Sequence, residues 1–241
     1  MCMYYRRLRL KGRFFIPVIE TPMHLSATQL FLLVLAWTLY GAIHSILAST
    51  ALKRQVAQRW PEWQRGYRLA FNAAAVVLLI PVLGLTWAWH GPLLWAWSGA
   101  WAWIANGTAL AAIAAFMWST RHYDMSTFSG TAQWKGRGGA THDNERLHIS
   151  TLHRYVRHPW YFLALLILWT RDMDEARLVT TVCITAYFWL GSLLEEKKLT
   201  AHHGEAYARY RQRVAGLVPL PGCILSKQEA RELVEMSERH Q

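Results

Sequence analysis

Long apolar blocks alternate with basic connecting segments along the chain, and this pattern limits the folds that are open to it. Residues 28–48, 69–89 and 93–118 contain no Asp, Glu, Lys or Arg. A helix of roughly 20 apolar residues crosses the ~30 Å hydrocarbon layer of a bilayer. Each block therefore predicts one transmembrane helix, and residues 27–118 predict a three-helix transmembrane region.

A second apolar pair follows nearer the C-terminus. Residues 159–170 and 178–194 are apolar and flank a charged turn at 171–177, which predicts a helical hairpin. At 1.5 Å per residue the first arm reaches only ~18 Å, so it tilts or enters the membrane partway, and its polar entrance lines a cavity. The predicted fold class is an all-α polytopic integral membrane protein with about five transmembrane helices.

Positive charge is concentrated in three segments: residues 49–68, residues 119–158 and the chain after 194. The formal net charge is +11. With five spans these segments share one side, which the positive-inside rule makes cytoplasmic, together with the C-terminus. We expect a bacterial inner membrane, membrane lipids as partners and no binding of nucleic acid.

The first 26 residues form a basic N-terminal arm that conflicts with an outside N-terminus, because its arginines also favour the cytoplasm. A start at Met23 removes the conflict, and so does an untranslocated arm with a sixth weak element. At the other end, residues 226–241 are rich in Glu and Arg. They predict a short solvated helix or a frayed end.

Two polar stretches at predicted cytoplasmic helix ends contain the candidate functional residues. Residues 152–161 read LHRYVRHPWY. Pro159 suits the first turn of a helix and leaves Arg157 and His158 extended before it, free to face a ligand. The alternative interpretation is a basic helix cap at the membrane surface.

The second stretch, residues 195–214, reads EEKKLTAHHGEAYARYRQRV. Glu195 and Glu196 lie where the last apolar helix leaves the membrane, and two adjacent carboxylates at that depth need hydrogen-bond partners. Tyr207, Tyr210 and Arg213 recur at three-residue intervals and share one helical face. A solvated charged turn and an interfacial tyrosine belt are the alternatives.

In this order, the pattern of Arg157-His158-Pro159-x-Tyr161, a hydrophobic hairpin and Glu195-Glu196 resembles the signature of the isoprenylcysteine carboxyl methyltransferase superfamily. The resemblance covers about residues 150–221, and Arg213-Val214 completes it. Weaker similarity to the methanethiol S-methyltransferase and NnrU-like branch is seen at His44-Ser45, at residues 68–72 and at residues 121–133.

The resemblance implies that S-adenosylmethionine binds in residues 158–225, between the hairpin and the C-terminal segment. The implied acceptor is a small or lipophilic molecule, preferably a thiol, with a phospholipid amine next. Arg157 matches an arginine near the reacting centre. The implied cofactor-binding residues are Tyr155, Val156, His158, Tyr161, Glu195, Glu196, Tyr207 and Arg213.

The chain also departs from the family pattern. Leu163 stands where many relatives have Gly, and residues 187–192 lack the arginines that precede the paired glutamates of prenylcysteine enzymes. We therefore do not expect methylation of prenylated C-termini. Two alternative functions are also compatible with the sequence: an NADPH-dependent enzyme like the sterol reductases, and an NnrU-like accessory protein without turnover.

Three further residues are candidates for a functional role. His122 and Asp124, in the predicted cytoplasmic loop 119–157, are candidates for deprotonating the acceptor, against the alternative of a surface His beside a helix-ending Asp. His44 lies inside the first span, where an ionisable residue suggests function, but a hydrogen bond to a neighbouring helix is the simpler use and the one we expect. The histidine spacing matches no metal motif, so no metal site is predicted.

Overall fold

A computed structural model describes residues 23–136 and 147–239, apart from the side chain at position 122. The expectations for the arm at residues 1–22 lie outside these residues. The described chain is almost entirely helical. Its helices are α1 (Ala27–Ala48), α2 (Thr50–Arg59), α3 (Tyr67–Ala88), α4 (Gly99–Ser119), α5 (Met125–Ser129), α6 (Thr131–Trp134), α7 (Pro159–Trp169), α8 (Glu175–Arg213) and α9 (Lys227–Glu238), with two short strands, β1 (Leu93–Trp95) and β2 (Met173–Asp174).

Four of the described helices, α1, α3, α4 and α8, are long and apolar enough to cross a membrane. Their outward surfaces are apolar: Val76, Val77 and Ile80 of α3 are each 63% exposed. Apolar surfaces of this extent are rare on soluble monomers and fit acyl chains. The remaining predicted span, α7, has 11 residues and a length of ~16 Å, so the helix alone does not cross the bilayer.

The connections fall at two ends of the bundle. Strand β1 pairs antiparallel with β2, which places the α3–α4 connection beside the α7–α8 turn. The N–H of Leu25, just before α1, donates to the Glu175 carboxylate at the start of α8. The opposite end holds α2, α5, α6 and the entrance to α7, which is the grouping that the charge pattern predicts.

Two sequence expectations need correction. The third apolar block does not become helical until Gly99, because Leu93 and Trp95 are extended to pair with β2. The tail forms a short helix over Lys227–Glu238, as expected, but this helix is not merely solvated. Helix α9 begins with a capping box between Ser226 and Glu229 and buries Leu233 against α8.

Helix α8 is the longest element and continues beyond the apolar layer to Arg213, over 39 residues. Its path changes at Gly204, whose φ of 54° is a left-handed value that glycine adopts without steric cost. Before this kink, α8 packs along α1 in the bundle; after it, the helix packs against α9. The kink therefore lies beyond the apolar run of α8, and the residues after it cover the basic end.

The two-ended arrangement predicts opposite accessibility for the connections on either side of α3. In a chain whose native cysteines are replaced by serine, Glu62→Cys should react with a membrane-impermeant maleimide in inside-out vesicles. His90→Cys should react only in right-side-out vesicles, because α3 places the two positions at opposite ends. Labelling of both positions from the same side would contradict this topology.

Candidate functional site

Glu196 is the centre of a buried ionic cluster at the basic end of the bundle. Its side chain is only 4% exposed. Arg157 donates to its Oε1 from Nε (2.8 Å) and Nη2 (2.7 Å), and Nε2 of His158 lies 3.1 Å from the same oxygen. Arg211 lies 3.1 Å from Oε2 through its Nε. A carboxylate buried at this depth needs such partners, and these four residues are called the Glu196 cluster below.

Backbone pairing fixes the position of this cluster. Val156 and Ala215 form an isolated parallel bridge, the N–H of Arg157 donates to the Ala215 carbonyl (2.8 Å), and that of His158 donates to Gly216 (3.1 Å). The Arg157 guanidinium also donates to the carbonyls of Arg211 and Val214. The expectation that Arg157 and His158 have free backbone is therefore wrong: both are joined to the end of α8.

Glu195 has a different environment from its neighbour. Its side chain is 50% exposed, and its Oε2 lies 3.4 Å from Nδ1 of His158. It also interacts with the hydroxyl of Tyr161. The ring of Tyr161 stacks on His158 (5.4 Å between centroids) and on Phe188 (4.5 Å), so these three rings form one stack beside an accessible carboxylate.

The remaining predicted cofactor residues are divided between the core and the surface. Tyr207 is buried in the cluster that joins α8 to α9, and Val156 is buried as well. Tyr155 is 41% exposed beneath the guanidinium of Arg154. The structure does not bring Arg213 to the Glu196 cluster, because its exposed side chain pairs with Glu229 of α9 at 3.1 Å.

Asp124, one of the two candidate bases, caps α5. Its carboxylate accepts from the hydroxyls of Ser126 and Thr127 (2.6 Å each) and from the N–H of Ser126 (2.9 Å). These hydrogen bonds lower the pKa of Asp124 to about 2. So acidic and so fully engaged a carboxylate is a weak proton acceptor. The side chain of the other candidate, His122, is outside the described residues.

Aromatic and backbone contacts bring together segments that resemble the methyltransferase branch. The side chain of Asn72 in α3 donates to the carbonyls of Phe128 and Ser129. Gly130, with φ of 89°, lies so close to α3 that a Cβ would come within 2.7 Å of the Leu69 nitrogen. Phe128 packs on Trp160 of α7, whose indole N–H donates to the Ser119 hydroxyl at the end of α4.

Arg211 and Phe188 are site residues that the sequence did not single out. Phe188 had a detectable signal, because it precedes Glu195 by seven residues and so shares a face of α8 with it. No sequence signal links Arg211 to Glu196, since the kink at Gly204 lies between them. Within the described ranges, no group of three or more His, Cys, Asp or Glu side chains is placed to hold a metal.

Comparison with known proteins shows similarity to methyltransferases. The chain is 26% identical over 195 residues to a methanethiol S-methyltransferase of Crocosphaera subtropica, covering 76% of this chain and 72% of the relative. It is 29% identical over 194 residues to one of Pseudomonas sp. (strain GM41(2012)), covering 76% and 70%. A methanethiol S-methyltransferase of Pseudomonas deceptionensis is 39% identical over 69 residues, 28% of this chain and 26% of the relative. No family model matches the chain, and no solved structure matches it.

The Glu196 cluster predicts a large difference between two arginine substitutions. Arg157→Met leaves Glu196 buried with fewer partners, which should lower the free energy of unfolding by about 3 kcal/mol. Arg209→Met is the matched control, because Arg209 forms an exposed pair with Glu205 in the same helix and should cost less than about 1 kcal/mol. Thermal unfolding in detergent measures both, and equal losses would contradict the assigned role of the cluster.

His153 predicts a pH dependence of stability. Burial, together with His148 and His158, lowers its pKa from 6.5 to about 4. Between these values the unfolded chain binds a proton that the folded chain does not, so the stability contributed by neutral His153 is complete above pH 6.5 and is lost progressively as the pH falls towards 4. His153→Asn should flatten this part of the curve of unfolding temperature against pH. The exposed His90→Asn should leave the curve unchanged, and an unaltered slope in His153→Asn would contradict the assignment.

Proposed function

We propose that the protein is a membrane-embedded methyltransferase that transfers the methyl group of S-adenosylmethionine to a small apolar thiol. The observation that supports this most is the convergence of two sequence motifs on one buried carboxylate. Arg157 and His158 meet Glu196 although 38 residues separate His158 from it. The relatives named methanethiol S-methyltransferase favour a thiol acceptor.

The methyl donor is proposed to bind beside Glu195 and the stack of His158, Tyr161 and Phe188, within residues 158–225. The chemistry of these groups fits the donor. A half-exposed carboxylate accepts hydrogen bonds from ribose hydroxyls or from an ammonium group. Aromatic faces attract a cationic sulfonium. When bound, the donor supplies a methyl group attached to a positively charged sulfur. After the methyl group is transferred, the rest of the donor is a neutral thioether.

The Glu196 cluster is proposed to position this site without touching the reacting atoms. Glu196 is enclosed by Arg157, His158 and Arg211, so its oxygens already have partners. Through His158, the cluster orients the ring stack next to Glu195. We therefore assign Arg157 to positioning, and Glu195, His158 and Tyr161 to contact with the donor.

The site is proposed to face the cytoplasm of a bacterial inner membrane. The basic segments that share its end of the bundle are attracted to that side. We propose that α7 and the non-helical residues 170–172 before β2 together cross the hydrocarbon layer and so form the additional span between α4 and α8. Polar backbone is tolerated at that depth where protein covers it, and Arg171 bonds there to Asn106 of α4. The acceptor then reaches the site from the bilayer.

Donor binding tests the site assignment. Glu195→Ala should weaken the binding of S-adenosylmethionine at least tenfold, because it removes the accessible carboxylate and leaves the Glu196 cluster intact. Glu205→Ala, in the same helix, removes an exposed carboxylate that pairs with Arg209 and should leave the affinity unchanged. Isothermal titration on protein in nanodiscs measures both. Equal affinities in the two variants would refute the assigned donor site.

Transfer of labelled methyl from the donor tests the reaction. Ethanethiol, a prenylcysteine and an aminophospholipid are offered in separate reactions, and label is expected in ethanethiol. Label in the aminophospholipid alone would keep the enzyme class and change the acceptor. Donor binding without transfer to any of the three would favour an accessory protein, and NADPH binding without donor binding would favour a reductase.

A further inference from the structure

His44 is an ionisable residue inside α1, one turn before the helix ends at the basic side. Its Nδ1 is buried and has no hydrogen-bond partner among the described residues. The simple use considered from the sequence, a hydrogen bond to a neighbouring helix, is thus not made by this atom. Buried polar atoms are nearly always paired, and an ionisable residue within the membrane is costly, so an unpaired one indicates a ligand.

Three helices surround this ring with aromatic side chains. The ring centroid of His44 lies 4.9 Å from Phe71 of α3, 5.9 Å from Tyr40 of α1 and 6.1 Å from Tyr187 of α8. Tyr40 and Tyr187 are the titratable groups in this set. We call these four residues the His44 cluster; apolar side chains around a few polar groups are typical of the sites that bind small molecules.

Close packing holds Tyr187 in this position. A Cβ on Gly41 would lie 2.9 Å from the Tyr187 ring, so the absence of a side chain at Gly41 lets α1 approach it. The Tyr187 hydroxyl also lies 3.3 Å from the hydroxyl of Ser45. His44 and Ser45 are the pair that resembles the methyltransferase branch, and both face the same tyrosine.

The His44 cluster adjoins the proposed donor site through α8. Tyr187 is followed by Phe188, whose ring stacks on Tyr161, and one turn further along Gly191 lies beneath the Tyr161 hydroxyl. Glu195 is eight residues beyond Tyr187, ~12 Å along the helix axis. Packed aromatic rings, those of Tyr187, Phe188 and Tyr161, therefore connect the His44 cluster to the carboxylate at the basic end.

We infer that the apolar thiol binds at the His44 cluster and that Nδ1 of His44 accepts the thiol proton. This inference rests on the proposed function. In the step, the acceptor S–H bond breaks and its proton passes to His44. The acceptor sulfur forms a bond to the methyl carbon, and the bond between that carbon and the donor sulfur breaks, with its electron pair remaining on the donor as a neutral thioether. A thiol becomes a good nucleophile only when deprotonated, and a neutral imidazole in a dry pocket accepts that proton.

Two substitutions separate proton transfer from packing. His44→Phe keeps an aromatic ring among Tyr40, Phe71 and Tyr187, and His44→Asn keeps a polar atom close to the position of Nδ1 but accepts no proton. Both should bind S-adenosylmethionine within twofold of the unchanged protein. For ethanethiol, kcat/KM should fall at least 100-fold at neutral pH in both. His90→Phe, the same change at an exposed position, should have no effect.

Two readouts are specific to a proton acceptor at His44. The unchanged protein should show kcat/KM rising with pH and levelling off once His44 is neutral, whereas both variants should keep rising towards the pKa of the thiol itself. Titration of ethanethiol onto protein saturated with S-adenosylhomocysteine should show binding weakened tenfold in His44→Phe and weakened less in His44→Asn.

The outcomes distinguish this inference from the function on which it rests. Variants that keep the pH profile and kcat/KM of the unchanged protein would overturn the role of His44 and leave the methyltransferase intact. Variants that lose donor binding as well would show that His44 is structural, which also overturns the inference. An unchanged protein that binds no donor and methylates no thiol would refute the proposed function itself.

Discussion

A single carboxylate, Glu196, joins the parts of the chain that form the basic end of the molecule. Arg157 and His158 reach it from the segment before α7, and Arg211 reaches it from beyond the kink in α8. Without these partners a buried carboxylate would be strongly unfavourable, so the three segments are held together by its charge. The stack on Tyr161, the pairing of residues 156–158 with the end of α8 and the exposure of Glu195 all depend on this arrangement.

The bilayer imposes the second constraint, because backbone groups in hydrocarbon must find partners within the protein. Helices satisfy this rule by themselves, and the non-helical entrance to α7 satisfies it by bonding to Ala215 and Gly216. The proposed donor site is thus placed where polar backbone and charged side chains already have protein partners. We propose that the acceptor reaches this site from the lipid, past the apolar surfaces of α1 and α3.

Much of the fold was predictable because the bilayer fixes the length of a spanning helix. The spans α1 and α3 match the predicted apolar blocks to within two residues, and the two-ended arrangement follows the distribution of Lys and Arg. The start of α4 was less predictable, since apolar residues 93–95 suit a strand as well as a helix. The motif order also indicated that Arg157, His158 and the paired glutamates form one site.

The amino-acid sequence by itself determined the membrane class, the grouping of basic segments at one end and the residue types of the candidate site, since these follow from hydropathy, charge and spacing. Only the tertiary structure decided which of these residues are buried in the Glu196 cluster and which are exposed. Glu195 and Glu196 are neighbours, yet a helix turns them ~100° apart, so one is enclosed by arginines and the other is half exposed. The kink at Gly204 brings Arg211 to the site and turns Arg213 towards α9. Such choices depend on what packs against each helix face, and a linear pattern does not contain that information.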